Sequence, residues 1–205
     1  MKPYFWDEAR GVLIKNDLVM RRLIPRLGDA HLQSRGDAFV TLARSIVGQQ
    51  ISVKAAQSVW DRFAALTAQL SPSGVLALSP QDMRAAGLSA RKVEYLMDLA
   101  RAFDSGDLQI ADWPGMDDEE IISELLAVRG IGRWTAEMFL IFHLLRPNVL
   151  PIDDVGLING IRKNYFADEP VSKAMVREVS AAWEPYRSVA TWYLWRSLDP
   201  LPVAY

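Results

Sequence analysis

Apolar residues in this chain recur almost everywhere at the spacing of one helix face and nowhere for long at the alternation of a strand, and that periodicity decides the fold class. Phe39, Leu42, Ala43, Ile46 and Val47 mark one such face. Val53, Ala56, Val59, Trp60 and Phe63 mark another, behind Ser52, which reads as an N-cap. Val93, Leu96, Met97, Ala100 and Phe103 mark a third over residues 89–103, closed by Ser105-Gly106. Ser71-Pro72 and Ser79-Pro80 each put proline at a first helical position, so two short helices are expected there, the second ended by Gly87. Asp117 and Glu120 form a capping-box start ahead of IISELLAV. The chain reads as all-α, with no internal repeat or low-complexity tract, and with Asp107 to Met116 as a connector.

With 205 residues, half of them hydrophobic, there is enough chain to bury a core as one large domain or as two small lobes sharing a cleft. A membrane is not expected as a partner. The most apolar window, Met138 to Leu145, holds His143, is flanked by Glu137 and Arg146, and falls far short of the roughly 20 apolar residues a span requires. The start, MKPYFWDEARG, has no apolar stretch of the kind a signal peptide needs. The absence of cysteine excludes disulfides, thiolate zinc sites, cysteine-ligated iron–sulfur clusters and thiol nucleophiles, and fits a reducing cytoplasm as it would fit other compartments. His31 and His143 stand far apart in sequence without clustered ligand partners, which gives no support to a zinc or histidine-based centre. A net charge of −2 argues against coating nucleic acid through bulk electrostatics, but local patches can still bind phosphate.

One stretch interrupts the helical pattern. LLAVRGIGRWTAEMFLIF, residues 125–142, puts two glycines one position apart between helical segments, so a helix over 118–127 turns at 128–132 and a second begins near Arg133. Glycine at 130 and 132 permits positive φ and leaves no Cβ between the backbone and whatever approaches it. A tight turn leading into a helix N-terminus is an anion site, and it grips a phosphate backbone without reading sequence. The glycines alone are equally those of an ordinary αα-hairpin. Leu126, Val128, Gly130, Ile131, Gly132, Thr135 and Ala136 together combine hairpin chemistry with a small-residue helix face.

LLAVRGIGRWTAEMF followed by LPIDDVGL resembles the helix-hairpin-helix DNA glycosylase superfamily. IVGQQISVKAA at 46–56 and WEPYRSVATWYLW at 183–195 are similar to its 3-methyladenine DNA glycosylase II branch. The resemblance runs from about Asp37 to Trp195 and is to the compact form, without the N-terminal β-rich domain of longer bacterial members. It implies a catalytic acid at Asp154, with Asp153 reading as the N-cap of the next helix and Asp154 just inside it. The bland reading is that both acids merely cap that helix. A carboxylate at a helix N-terminus suits cleavage of a glycosidic bond, because positive charge develops on the sugar. A base alkylated at a ring nitrogen is already cationic and leaves without a strong general acid.

The resemblance also implies a base pocket lined by Trp134, Trp195 and Met138. Indole faces suit a flipped cationic base, although tryptophans in a helical core also serve to pack. Trp134 stands where lyase-type relatives carry a lysine, which implies a monofunctional enzyme, and Met138 stands where some relatives have tyrosine. Gln50 matches the wedge that fills the gap left by an extruded base. DNA-phosphate contacts are expected from Gly130, Gly132, Arg133, Thr135, Ser52 and Lys54. Arg187 is a weaker candidate that equally pairs with Asp153 or Glu184. No cofactor and no iron–sulfur cluster are implied, but hairpin carbonyls at Val128 and Ile131 are implied to hold a monovalent cation.

The expected fold is thus all-α, a two-lobe helix-hairpin-helix glycosylase fold with the active-site cleft between lobes. Residues 1–38 form an N-terminal segment packing with the C-terminal lobe, 39–145 a lobe carrying the helix-hairpin-helix at 118–145, and 146–205 the C-terminal lobe carrying the acid. The expected function is hydrolysis of alkylated bases from duplex DNA by a monomer in the cytoplasm, nucleoid-associated when on DNA. The rivals are a non-catalytic helix-hairpin-helix module that binds DNA or serves as a scaffold and, less favoured, a hydrolase of RNA or nucleotides.

Overall fold

The computed structural model describes residues 2–34 and 36–198. In chain order the helices are α1 (Trp6–Asn16), α2 (Leu18–Leu23), α3 (Ala38–Gly48), α4 (Val53–Ala64), α5 (Pro72–Leu76), α6 (Pro80–Ala85), α7 (Ala90–Ser105), α8 (Asp118–Leu126), α9 (Arg133–Phe142), α10 (Val155–Tyr165), α11 (Lys173–Ala181) and α12 (Arg187–Leu198). No strand occurs among the described residues, and no helix there is long and apolar enough to cross a membrane.

The chain divides into two compact units. One combines residues 2–34 with residues 140–198, and the other holds residues 36–139. Helix α9 begins in the second and ends in the first, so the divisions fall at 34/35 and 139/140, while the sequence reading drew them at 38/39 and 145/146.

In the central unit the local start signals act as their chemistry dictates. Ser52, Ser71, Ser79 and Ser89 each accept a hydrogen bond from the backbone N–H three residues on, satisfying a donor that the first helical turn leaves without a partner. Glu120 returns the Asp117 cap by accepting its N–H at 2.8 Å. All five apolar residues of the α3 face are buried. On α4 only Trp60 and Phe63 are buried, and Val53 is 63% exposed, so its apolar periodicity runs past the region that α3 covers. On α7 the buried set is Val93, Leu96, Leu99 and Ala100, with Phe103 edge-on to Phe39 at 5.3 Å. The connector 107–116 is anchored, because Trp113 is buried and donates its indole N–H to Glu124 at 2.8 Å.

The terminal unit is organised around Asp17. Its Oδ1 caps α2 through the N–H groups of Val19 and Met20, and its Oδ2 accepts from the Tyr165 hydroxyl at 2.8 Å and the Trp183 indole at 3.0 Å. One buried carboxylate thereby ties together α2, the end of α10 and the segment after α11. Burial, with the Asp17 anion beside it, raises the Tyr165 hydroxyl far above the ordinary tyrosine range. Helices α10 and α12 lie close because α10 offers glycine at the contact. A Cβ on Gly160 would sit 2.9 Å from the Leu194 Cβ, and one on Gly156 would sit 2.9 Å from the Trp195 ring.

Candidate active site

The hairpin lies in the central unit. After α8 the chain tightens, with Val128 N–H donating to the Leu125 carbonyl and Ile131 N–H to the Val128 carbonyl, at 3.2 and 3.1 Å. Gly130 adopts φ +91°, and the ring of Tyr95 lies so close that a Cβ there would fall 2.4 Å from two ring carbons. Gly132 does not use that freedom: it is not left-handed, and an added Cβ would meet nothing within 4 Å. The turn needs only one left-handed residue. Gly132 instead holds the N-cap position of α9, its carbonyl accepting from Ala136 N–H at 3.0 Å, on open surface beside amides that have no intrahelical acceptor.

The side chains around this turn are less available than their sequence positions suggested. Arg133 meets both carboxylate oxygens of Glu119 and, at 3.1 Å, the buried Glu137. These hydrogen bonds raise the Arg133 guanidinium and lower the Glu119 carboxyl from their usual ranges. Its charge is thus largely neutralised locally. Thr135 is buried, while the glycine before Arg133 leaves the main chain of the turn open. The hairpin carbonyls form a neutral, all-oxygen set. That of Val128 accepts from Ile131 N–H and keeps a second lone pair, and that of Gly130 accepts from Gln49. Among the described residues no group of three acidic or histidine side chains is placed to hold a metal ion.

Next to the hairpin is the turn between α3 and α4. Gln50 is exposed and takes φ +58°, a left-handed conformation that is uncommon for a residue with a side chain. Ile51 and Val53 beyond it are also exposed, as are Ser52, whose side chain caps α4, and Lys54. Gln49 donates its side-chain amide to the Gly130 carbonyl at 2.9 Å, and the Lys92 ammonium donates to the carbonyls of Val47 and Gln49 at 2.7 and 2.8 Å. A cleft of about 330 Å³ opens here, bordered by Gln50, Arg91, Lys92, Tyr95 and Gly132. Gln49, Lys92 and Tyr95 escaped the sequence reading. The signal was the pair Arg91-Lys92 in the first turn of α7, where the helix dipole disfavours cations.

Asp154 lies in the terminal unit. It is itself the N-cap of α10, correcting the assignment of that position to Asp153. Its Oδ1 accepts from Leu157 N–H at 2.6 Å and from the Trp195 indole N–H at 2.7 Å, and the residue is only 8% exposed. Asp153 is exposed and pairs with Lys173. The approach to Asp154 is clamped by the start of α12. Ser188 accepts from Val149 N–H at 2.9 Å, and Arg187 donates to Asn148 while pairing with Glu184 at 3.0 Å. The WEPYRSVATWYLW segment thus fixes the loop carrying the acid and supplies Trp195 to bond it. Trp195 also stacks on Phe142, centroids 5.6 Å apart and planes 12° apart. On α9, Trp134 keeps 41% of its surface exposed and Met138, one turn on, is buried. His31 bonds the Asp29 carbonyl.

Residues 43–185 match the HhH-GPD superfamily, described as base excision DNA repair proteins. The DNA-3-methyladenine glycosylase of Bacillus subtilis is 32% identical over 174 residues, covering 79% of this chain, which in turn spans only 57% of that relative's length. A crystal structure of DNA-3-methyladenine glycosidase from Bacillus halodurans superposes with a TM-score of 0.87 at 34% identity, covering 93% of this chain and 89% of that one. Mag1, the 3-methyladenine DNA glycosylase of Schizosaccharomyces pombe, in complex with abasic DNA, gives 0.82 at 31% identity, covering 97% and 99%.

Proposed function

Because the chain belongs to the HhH-GPD superfamily of base excision DNA repair proteins, we propose that it is a monofunctional DNA glycosylase that hydrolyses the N-glycosidic bond of alkylated bases, of the 3-methyladenine type, in duplex DNA. The observation that carries the reading is the Asp154 carboxylate, shielded from solvent and oriented at a helix N-terminus by a main-chain and an indole donor.

In the proposed reaction the bond from deoxyribose C1′ to the damaged base breaks as positive charge develops on the sugar. A fixed anion stabilises that charge without reorganising during the reaction. The departing base takes the bonding electrons and so loses its own positive charge. Water then adds to C1′ and gives up a proton to the solvent, leaving an abasic sugar in an intact strand. Trp134 stands where a lyase carries lysine, so no imine forms with the sugar. Trp134, partly exposed, and Met138 receive the flipped base, the electron-rich indole suiting its positive charge, and Trp195 serves the site through the N–H that it gives Asp154.

Gln50, already left-handed and exposed, fills the gap in the duplex. The open Gly132 amide and the start of α9 receive a backbone phosphate, joined by Ser52 and Lys54. Val128 and Ile131 would hold a monovalent cation through their carbonyls, adding positive charge at the phosphate. The protein works as a monomer in the cytoplasm, at the nucleoid when on DNA. The test is incubation with methylated duplex DNA and identification of what is released. Free alkylated purines with strand breakage only after alkali are expected, and no released base overturns the reading.

A further inference from the structure

Lys92 presents a local contradiction. It occupies the third residue of α7, one turn from the positive end of that helix, next to Arg91 and with no acid in the first turn to offset them. A cation there opposes the dipole of its own helix. The side chain instead crosses to the C-terminal end of α3, where it donates to the carbonyls of Val47 and Gln49. That is the negative end of another helix, whose last carbonyls lack helical partners. Burial lowers the Lys92 ammonium from its ordinary range, so the arrangement is held against a desolvation cost.

What these bonds hold is unusual. The second carbonyl belongs to the residue immediately before Gln50, the exposed left-handed residue of the turn. The same Gln49 uses its side chain to grip the Gly130 carbonyl, and Gly130 rests on Tyr95, one turn beyond Lys92 on α7. The two bonds from Lys92, the one from Gln49 and the Tyr95 contact therefore connect one helix to both the wedge turn and the hairpin.

We propose that Lys92, through Gln49, is a positioning residue that locks the wedge turn to the DNA-gripping hairpin, so that the side chain entering the duplex keeps a fixed register to the phosphate that the hairpin holds. It touches neither base nor sugar. This rests on the reading of Gln50 as the wedge. A residue that only stabilised α3 would have no reason to couple the mobility of the hairpin to that of the wedge turn, separated from it by some 80 residues.

The experiment compares wild type with Lys92→Met, which keeps length and loses the donor, Lys92→Arg, which restores a donor, and Gln49→Leu, which cuts the second link. Amide hydrogen exchange on the DNA-free 205-residue chains reads the brace without DNA. Faster exchange at residues 49–51 and also at 130–132 is expected in Lys92→Met, with recovery in Lys92→Arg, and faster exchange at 130–132 in Gln49→Leu. On methylated duplex, single-turnover base release should fall about tenfold in Lys92→Met while affinity for undamaged duplex changes about twofold or less. Exchange unchanged at 130–132 in both Lys92→Met and Gln49→Leu overturns the inference, and so does base release at the wild-type rate. If wild type itself releases no base, the glycosylase reading falls, while the exchange measurement still decides whether the brace exists.

Discussion

Gly130→Ala and Gly132→Ala, two substitutions identical on paper, should separate structural from DNA-binding roles in the hairpin. At Gly130 the backbone is at φ +91° and the new methyl would lie 2.4 Å from the Tyr95 ring. A side chain in left-handed space costs about 1–2 kcal/mol. Forcing a methyl into an occupied contact adds about 1–3 kcal/mol, because the ring or the hairpin must move. The total of roughly 2–5 kcal/mol, in a chain of this size, lowers the melting temperature by roughly 5–15 °C. Gly132 has neither problem, so Gly132→Ala should melt close to wild type yet bind undamaged duplex more weakly, because the added methyl stands where a phosphate would approach.

Thermal unfolding followed by circular dichroism checks the first half, and a binding titration on undamaged duplex checks the second. The double variant Gly130→Ala/Tyr95→Ala apportions the loss, since it relieves the ring contact and leaves only the backbone strain. It should be less destabilised than the sum of its parts. Gly130→Ala melting at the wild-type temperature would refute the steric argument. Gly132→Ala binding undamaged duplex as wild type does would refute the assignment of this turn to phosphate.

Asp154→Asn should fold normally, because asparagine caps a helix about as well as aspartate, and should release bases about a hundredfold or more slowly in single-turnover assays, for want of an anion beside the sugar. Trp195→Phe keeps a ring against Phe142 but loses the N–H to Asp154; its base-release rate constant should fall about tenfold with little change in DNA affinity, and an equal loss of both would show that the indole serves only to hold substrate. Borohydride added during turnover should trap no protein–DNA adduct, whereas an adduct abolished by replacing Lys54 or Lys163 would mean that a lysine attacks the sugar. Tyr165 titrates far above its ordinary range in the folded chain. Its contribution to stability is therefore complete below about pH 10 and is lost as pH rises beyond that and the unfolded chain ionises. Tyr165→Phe should weaken the fold at neutral pH and flatten that alkaline decline in urea-unfolding midpoints.

Much of this was legible in the sequence because it is local. The serine caps, the Asp117–Glu120 box and the α3 apolar face depend on residues three or four apart, and such pairs carry their own geometry. The acid at Asp154 came from its motif, and its role as cap slipped by one residue, because an Asp-Asp pair offers two candidates and only backbone conformation chooses between them. What could not be read joins residues far apart in the chain: Gln49 to Gly130, Lys92 to Val47, Trp195 to Asp154. No periodicity encodes such pairings. Both hairpin glycines permit a positive φ, and only Gly130 uses it. Composition says that a glycine permits an unusual φ, and only the path of the chain says whether the turn uses it.

Two helix N-termini illustrate how the same local chemistry serves different ends. At α10 the donors of the first turn meet a side chain of the protein itself, and a second donor from Trp195 fixes that carboxylate in place. At α9 the N-cap is a glycine with no side chain to offer, and the space in front of it is open. A Ser or Asp at position 132 would satisfy those amides internally, as serine does at α4, α5, α6 and α7. The helix entered from the hairpin, α9, has a glycine in that place. Under the glycosylase reading, the open space in front of Gly132 is where an acceptor from outside the chain, the DNA backbone, would approach this terminus.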